Sequence, residues 1–505
     1  MPSGVYRVDQ VRVAEEKLMS TVPAAELMQR AARGLLNVCV DILTNRGRVA
    51  GASVVALIGS GNNGGDALWA VAGLATRGAT VVAVGVGPTM HREGVAALLA
   101  AGGNIIDAHD GAPEVDLAGT DLVVDGITGI GGRGALRGPA LIWVRAAAAS
   151  GAMIVAVDVP SGVDADTGAV EDLQACVEAD VTVTFGVQKP GLLVAPGNGV
   201  AGQIVVVDIG LDAVLPPPQI QVLNELDFGS WLTGPAHFDY KYSRGVVGVA
   251  AGSPRYRGAA FLATAGARYG TSGMTRFLDR GDGIAAAVVE QFWDVVAAES
   301  IRDPRVSSWV IGPGLGTDEA AAVLLAGVLD EHVPVVVDAD ALRILDPYRA
   351  RVHERFGAGH LTILTPHEGE FAGLGYQDAQ LAEDRIGLVQ RAAADLGAIV
   401  VLKGPGTIIA EPGGRVIIDT VGGPELGTAG SGDVLTGLVG SLLARTSAPY
   451  LQTGRNLPMS MAMEVVGTAV GVHGLAGRLA AKGQVPITAQ DIARHVPDAI
   501  AELRI

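Results

Sequence analysis

The run Gly427-Thr428-Ala429-Gly430-Ser431-Gly432-Asp433 is followed by Val434, Leu435, Leu438, Val439 and Leu442 at helical spacing. It reads as a glycine-rich loop that opens a helix. Gly430 and Gly432 remove side chains where backbone could approach a ligand closely. Free N–H groups at a helix start favour an anion, and a phosphate is the usual one. Asp433 conflicts with that, because a carboxylate beside a phosphate repels it. The conflict resolves if Asp433 takes a proton from a hydroxyl while the backbone holds the phosphoryl group being transferred. The plainer reading is a helix N-cap, with Asp stabilising the first turn.

Other chemistry-bearing residues follow apolar runs. Ser53-Val54-Val55-Ala56-Leu57-Ile58 predicts a buried strand, and Gly59-Ser60-Gly61-Asn62-Asn63-Gly64-Gly65-Asp66 leads from it into a helix through Leu74. The glycine spacing matches a dinucleotide loop. Such a site also needs an acidic residue about 20 positions on, to hold a ribose, and Val81–Val86 has none. That disfavours an ordinary NAD dehydrogenase. Asn62, Asn63 and Asp66 instead offer hard oxygens to a cation or a polar ligand, against the plain alternative of an Asn-Gly turn. Asp121–Asp125 runs into Gly126–Gly134, and Ile154–Asp158 runs into Val159-Pro160-Ser161-Gly162. Three parallel strands ending in these groups would set them along one crevice.

The second half repeats the style. Val246–Ala251 ends in Gly252-Ser253, and a helix starts at Gly258-Ala259-Ala260. Val310-Ile311 enters Gly312-Pro313-Gly314-Leu315-Gly316, and Val335–Val337 ends in Asp338-Ala339-Asp340. Leu361–Leu364 leads to Thr365-Pro366-His367-Glu368-Gly369-Glu370, and Ile399–Leu402 leads to Lys403-Gly404-Pro405-Gly406-Thr407. Strands alternating with helices predict a mainly parallel sheet covered on both faces. The spacing of His367, Glu368 and Glu370 gives no metal geometry, so substrate contact or a structural hydrogen bond is favoured. Lys403 before a Gly-Pro-Gly turn suits a nucleotide phosphate; the alternative is a solvated lysine at a strand end.

The elements that must position these groups fit the composition. At 505 residues the chain predicts two or more domains. Ala, Val, Leu and Gly dominate, which suits helices packed on parallel strands. A formal charge of −17 argues against a nucleic-acid or anionic-membrane surface. The two cysteines, Cys39 and Cys176, have no metal or redox spacing and suit a reducing compartment. Met1–Lys17 carries charges without the apolar core of a signal peptide, and no run reads as long enough for a membrane span. The expectation is a soluble cytoplasmic protein without a membrane or nucleic-acid partner. Val8–Val40 predicts two helices broken near Pro23. Leu215-Pro216-Pro217-Pro218-Gln219 predicts a stiff linker, giving domains over 1–214 and 222–505 around a 215–221 join.

The first half resembles the NAD(P)H-hydrate epimerase family over roughly residues 5–212. The resemblance is carried by Asn62-Asn63-Gly64-Gly65-Asp66, by Asp125 with its glycine loop, and by Asp158-Val159-Pro160-Ser161-Gly162. It implies a Rossmann-like three-layer α/β/α fold and a K⁺ ion held by Asn63, Asp125 and Ser161. It also implies hydrate contacts from Asn62, Asn63, Gly64, Gly65 and Asp66, and from Gly129, Ile130, Gly131, Gly132, Arg133, Gly134 and Ala135. Asp158 would be the acid/base that inverts the hydrated ring carbon. Ala67 departs from the glycine usual after that Asp.

The second half is similar to the ADP- or ATP-dependent NAD(P)H-hydrate dehydratase family, with a ribokinase-like α/β fold. The motifs from Gly252 to Asp433 match in order. The resemblance implies that Ala259, Gly316, His367 and Asp433 touch the hydrate. Lys403, Gly404, Pro405, Gly406, Thr407 and Gly432 would hold ADP or ATP, with Mg²⁺. Ser253–Arg257 and Val421–Glu425 depart from the family's pattern. The expected whole is a bifunctional repair enzyme for hydrated NADH and NADPH, and a homo-oligomer as is common in the family. The alternative is a small-molecule kinase of hydroxymethyl-pyrimidine or sugar type, with a non-catalytic first domain.

Overall fold

A computed structural model describes residues 3–108, 117–223 and 225–504. The chain forms two compact units, Gly4–Pro218 and Gln219–Ile505.

In the first unit, seven strands form one sheet in the spatial order Asn104–Asp107, Thr80–Gly85, Ser53–Ile58, Leu122–Gly126, Met153–Val157, Val181–Phe185, Gln203–Val207. Every pair is parallel. From Ser53–Ile58 the chain first builds outward on one side and then returns to build on the other. The carboxyl ends of Ser53–Ile58 and Leu122–Gly126 therefore flank the point where strand order reverses, where open α/β sheets bind ligands. The strands are continuous apolar runs because both faces are covered. Val54, Ala56, Val124 and Val155 pack with Leu27, Leu35 and Leu68 on one side. Val55, Leu57, Val123 and Ile154 pack with Trp143, Val144 and Ala147 on the other. Two helices precede the sheet, Val8–Met19 and Ala24–Asn45, and Pro23 stands at the N-cap of the second, as the pattern predicts.

In the second unit the order is Ile220–Val222, Val416–Ile418, Ile408–Ala410, Ile399–Leu402, Thr362–Leu364, Val335–Val337, Ser308–Ile311, Val246–Ala250, Met274–Leu278, Val295–Ala298. All these pairs are parallel except those of Ile408–Ala410, which is antiparallel to both neighbours. Strand order reverses between Val246–Ala250 and Ser308–Ile311, and the loops after them meet: Gly252 N–H donates to the Pro313 carbonyl at 2.7 Å. Ile220–Val222, which starts in the last two residues of the segment expected as linker, is a strand of this sheet.

The helix Ser431–Leu451 grows from the glycine-rich loop and lies on this sheet, buried along Val434, Leu435, Leu438, Val439 and Leu442. It presses against the helix Arg257–Tyr269. A Cβ on Gly437 would stand 2.0 Å from the Ala263 carbonyl oxygen, and one on Gly266 would stand 2.0 Å from that of Val434. Backbone meets backbone there because no side chain intervenes, and this fixes where Asp433 points. One sequence expectation needs correction. The helix Met459–Ala480 is long and apolar enough to cross a membrane by length and composition. It is mostly buried and packs on Ala489–Leu503 and Ser431–Leu451, so its apolar surface is core.

Gly437→Ala is expected to cost the second unit roughly 1–3 kcal/mol, the usual scale of overpacking, while leaving the melting of the first unit in place. Calorimetry on the full chain is the check, and an unshifted second-unit transition would mean that this backbone contact does not set the helix spacing.

Candidate active sites

In the first unit a cavity of about 560 Å³ opens at the strand ends, lined by Arg12, Glu15, Asn62, Asn63, Asp66, Gly129–Gly132, Asp158 and Phe185 among others. Asp158 follows the strand Met153–Val157 with φ 67°, a left-handed conformation that costs a non-glycine residue about 1–3 kcal/mol. Its Oδ1 accepts from Lys189 Nζ at 2.6 Å, Thr184 Oγ1 at 3.1 Å and Phe185 N at 3.4 Å. Lys189 is 1% exposed. Asp66 stands in the same cavity, nine-tenths buried, and its Oδ1 has no partner. Burial first, then the nearby Asp158 and Glu15, push its carboxyl well above the ordinary range. Burial also raises Glu15, against the pull of Lys189.

Asn63, Asp125 and Ser161 come together as the sequence predicts. Asp125 is fully buried; its Oδ1 accepts from Ser161 Oγ at 2.7 Å and Ile127 N at 3.2 Å, and its Oδ2 from Ser161 N at 2.9 Å. Burial pushes its carboxyl up to about 6, against those hydrogen bonds. Asn63 Nδ2 donates to the Thr128 carbonyl at 2.9 Å, which turns its Oδ1 towards Gly129. The donor set is amide, hydroxyl and carbonyl oxygen around one buried carboxylate. Those oxygens fit a hard monovalent cation, and among the described residues no cluster of three His, Cys, Asp or Glu forms a metal site.

The expected hydrate contacts are divided. Asn62, Asn63, Asp66, Gly129, Ile130, Gly131, Gly132 and Asp158 line the first cavity. Arg133, Gly134 and Ala135 line a second one of about 510 Å³ with Arg137 and Glu171, and Thr128 lines both. Gly64 and Gly65 line neither. A Cβ at Gly64 would meet the Gly59 carbonyl at 2.5 Å, and one at Gly65 would meet His91 and Met28, so close packing requires the absence of a side chain at Gly64 and favours it at Gly65. The plainer alternative, an Asn-Gly turn, does not form: these residues make the first turn of the helix Asn62–Thr76. Ala67 is buried in that helix, with Gly126 making room for its methyl group.

In the second unit Asp433 is not the cap. Gly430, with φ +86°, holds the N-cap position and Asp433 lies in the first turn beyond it. Lys403, at the end of Ile399–Leu402, reaches Asp338 Oδ1 at 2.8 Å and Glu370 Oε2 at 3.9 Å. Asp338 Oδ2 accepts from Thr436 Oγ1 at 2.6 Å, which ties the lysine's partner to the Asp433 helix. Ala339, the next residue, has φ 51°. Burial pulls the Lys403 ammonium down, but Asp338 and Glu370 outweigh it and hold it above its usual value. Burial, then repulsion from Asp338, pushes Asp433 up to about 7, with Lys403 opposing. A carboxylate poised there can take a proton near neutral pH.

The other expected residues ring this point. Gly316 N–H donates to Asp340 Oδ2 at 2.9 Å, and Ala259 packs against Gly314. His367 is exposed and caps its own helix: its Nδ1 accepts from Glu370 N at 3.2 Å, while Glu370 Oε2 accepts from His367 N at 2.9 Å. Gly432 lies beside Lys403 Nζ. Gly404–Thr407 forms an open turn, closed by Thr407 Oγ1 donating to the Gly404 carbonyl at 3.0 Å. In the departing segments, Tyr256 packs on Gly314, and the amides of Val421 and Gly422 are taken by Asp419 and that of Gly423 by Glu425.

Sequence reasoning missed Lys189, Thr184, Asp66's unpartnered oxygen, Thr436 and His473. His473 Nε2 lies 3.1 Å from Ser431 Oγ, and burial lowers it to about 4, so a neutral ring holds the helix start. Only partnership across the fold reveals these residues. A lysine closely following a strand that neighbours Asp158 was the one available signal.

A family described as NAD(P)H-hydrate dehydratase matches residues 247–498, and one described as YjeF-related protein N-terminus matches residues 24–191. The chain is 44% identical over 444 residues to the bifunctional NAD(P)H-hydrate repair enzyme Nnr of Mycobacterium tuberculosis (strain CDC 1551 / Oshkosh), covering 87% of this chain and 89% of that protein. It is 40% identical over 506 residues to the protein of that name from Mycobacterium leprae (strain TN), covering 99% of each. The Escherichia coli (strain K12) protein of that name is 32% identical over 474 residues, covering 89% of this chain and 87% of its own.

The raised Asp433 carboxyl has a consequence for stability. It binds its proton more tightly folded than unfolded, so its contribution is fully present below the ordinary value of 3.8 and is lost as pH rises through about 7. Asp433→Asn is therefore expected to raise the second unit's Tm, by roughly 2–4 °C for each kcal/mol relieved. The gain should be larger at pH 8 than at pH 5; an equal gain at both would mean the carboxyl is not strained by its surroundings.

Proposed function

The chain belongs to the bifunctional NAD(P)H-hydrate repair enzymes, and from that premise we propose how its residues divide the two reactions. The protein is an NAD(P)H-hydrate epimerase and dehydratase, with a Rossmann-like and a ribokinase-like unit. Hydration of the reduced ring puts a hydroxyl on the carbon beside the ring nitrogen, the polarised end of the enamine.

In the first unit Asp158 accepts the hydroxyl proton. The oxygen forms a carbonyl as the carbon–nitrogen bond breaks, its pair passing to the ring nitrogen. Closure on the opposite face remakes that bond, and Asp158 returns the proton to the oxygen. Asn62 and Asp66 contact the hydrate in the same cavity, and Gly129–Gly132 cover it. Arg133, Gly134 and Ala135 in the second cavity take a more distant part of the dinucleotide. Asn63, Asp125 and Ser161 would hold K⁺, which supplies a fixed positive charge beside the substrate.

In the second unit Asp433 takes the ring-hydroxyl proton as the oxygen attacks the terminal phosphorus of ADP or ATP. The bridging oxygen leaves with its electron pair on the nucleotide. The Ser431 helix start and Lys403 face the phosphoryl group, and Lys403–Thr407 with Gly432 hold the nucleotide. The phosphate then leaves the ring with the carbon–oxygen pair. A proton passes from the neighbouring carbon to the departing phosphate, and its bonding pair makes the double bond. Ala259, Gly316 and His367 contact the hydrate. Asp340 and Glu370 each already accept a backbone N–H, so Mg²⁺ would enter with the nucleotide phosphates, where it supplies charge neutralisation. We further place the protein in the cytoplasm, as a homo-oligomer with no nucleic-acid or membrane partner.

The observation that carries this reading is geometric: Asp433 stands in the first turn of the helix opened by the glycine loop, next to Gly432, which lies beside Lys403 Nζ, and Lys403 is fixed on Asp338 at 2.8 Å. A mixture of R and S NADH hydrates, with ADP or ATP, Mg²⁺ and K⁺, tests it through recovery of NADH absorbance. Wild type should recover the whole mixture, Asp158→Ala the S fraction plus the spontaneous remainder, and Asp433→Ala none. Wild-type dehydration should slow as pH falls through about 7. Full recovery by either variant would remove that residue from its role.

A further inference from the structure

Lys189 has no role in the chemistry above, yet it is a fully buried cation paired with Asp158, which lines the first cavity. Its ammonium donates to Asp158 Oδ1 at 2.6 Å, to Thr184 Oγ1 at 2.9 Å and to the Phe185 carbonyl at 2.9 Å. An ammonium has three hydrogens, so none remains for a ligand. The Thr184 hydroxyl accepts from Lys189 and donates to Asp158 Oδ1, which closes the cluster. Each described hydrogen bond to the Asp158 side chain ends on Oδ1. Among the described residues none reaches Oδ2, and Asp158 lines the cavity.

Stability does not explain the arrangement. A buried ion pair is often no better than apolar side chains of the same volume, and Asp158 adds a left-handed backbone to that cost. Two unfavourable features at one residue point to a constraint of function. The charged residues that line the cavity with Asp158 are Arg12 and Glu15 from the helix Val8–Met19 and Asp66 from Asn62–Thr76. None of them has a described hydrogen bond to Asp158, so Lys189 is the cation that aims it.

We infer that Lys189 is a positioning residue of the epimerase: it locks Asp158 Oδ1 with Thr184 and leaves Oδ2 as the oxygen that exchanges the ring-hydroxyl proton. Lys189 is neither a proton donor nor a substrate ligand. This rests on the reading of Asp158 as the acid–base group.

The test uses the full chain with R-NADH hydrate and no nucleotide, following R-to-S interconversion by chromatography above the spontaneous rate. Lys189→Met is expected to lower kcat about 10-fold or more, the scale of a lost charged hydrogen bond, with KM within about twofold. Lys189→Ala should regain rate with added n-propylammonium, in a saturable manner. Thr184→Val, which keeps the charge pair, should lower kcat several-fold and decides the matter if the lysine variants do not fold. A KM rise with kcat intact would make Lys189 a substrate ligand and overturn the inference. So would wild-type kcat in folded Lys189→Met or in Thr184→Val. Epimerisation by Asp158→Ala would instead overturn the acid–base reading beneath it.

Discussion

An aspartate at the end of a parallel strand, paired with a lysine largely withdrawn from water, is the interaction on which each unit's site depends. In the first unit it is Asp158 with Lys189 at 2.6 Å, and in the second Asp338 with Lys403 at 2.8 Å. Neither ion could sit there alone, because removing a charge from water costs several kcal/mol that only a well-placed partner offsets. Each pair is joined to a residue in a left-handed backbone, Asp158 itself and Ala339 beside Asp338. The two lysines differ in what they have left to give. Lys189 is sealed, with all three hydrogens taken. Lys403 has a side chain 17% exposed and, among the described residues, one side-chain hydrogen bond, to Asp338, so it can still meet an anion. One cation fixes a base; the other can stabilise charge that develops in a ligand.

The second unit also shows how a base comes to titrate near neutrality. Asp338, Glu370 and Asp340 all stand near Asp433, and their repulsion adds to burial in raising it, against the opposing charge of Lys403. The helix that carries Asp433 is set by glycines whose missing side chains allow backbone contact with Arg257–Tyr269. Packing deep in the core thus decides the position of a side chain at the rim. Thr436 binds that helix to Asp338, so that base and cation share one rigid support.

Much of this was legible in the sequence because parallel strands with both faces buried are continuous apolar runs, and their ends mark the crevice. Asp125, Asp158, Ser161, Asn63 and Asp433 could be singled out from strand ends and glycine loops alone. Lys189 could not, since its partner lies 31 residues away and is found only when Val181–Phe185 pairs beside Met153–Val157. Arg12 and Glu15 were hidden for a similar reason, because nothing local says that the helix Val8–Met19 lies over the cavity. Gly64 and Gly65 show a further limit: a glycine that admits a ligand and one that admits a neighbouring carbonyl or side chain look alike in sequence. Met459–Ala480 shows that apolar length alone does not separate a core helix from a membrane span.

The central claim is that both units act on one oxygen, the ring hydroxyl, which stays on the substrate through epimerisation and leaves only as phosphate. The direct measurement starts from R-NADH hydrate labelled with ¹⁸O in that hydroxyl, carried to NADH by the wild-type chain with ADP or ATP. Mass analysis of the inorganic phosphate is expected to find the label there. Label recovered in solvent water, with unlabelled phosphate, would contradict the account.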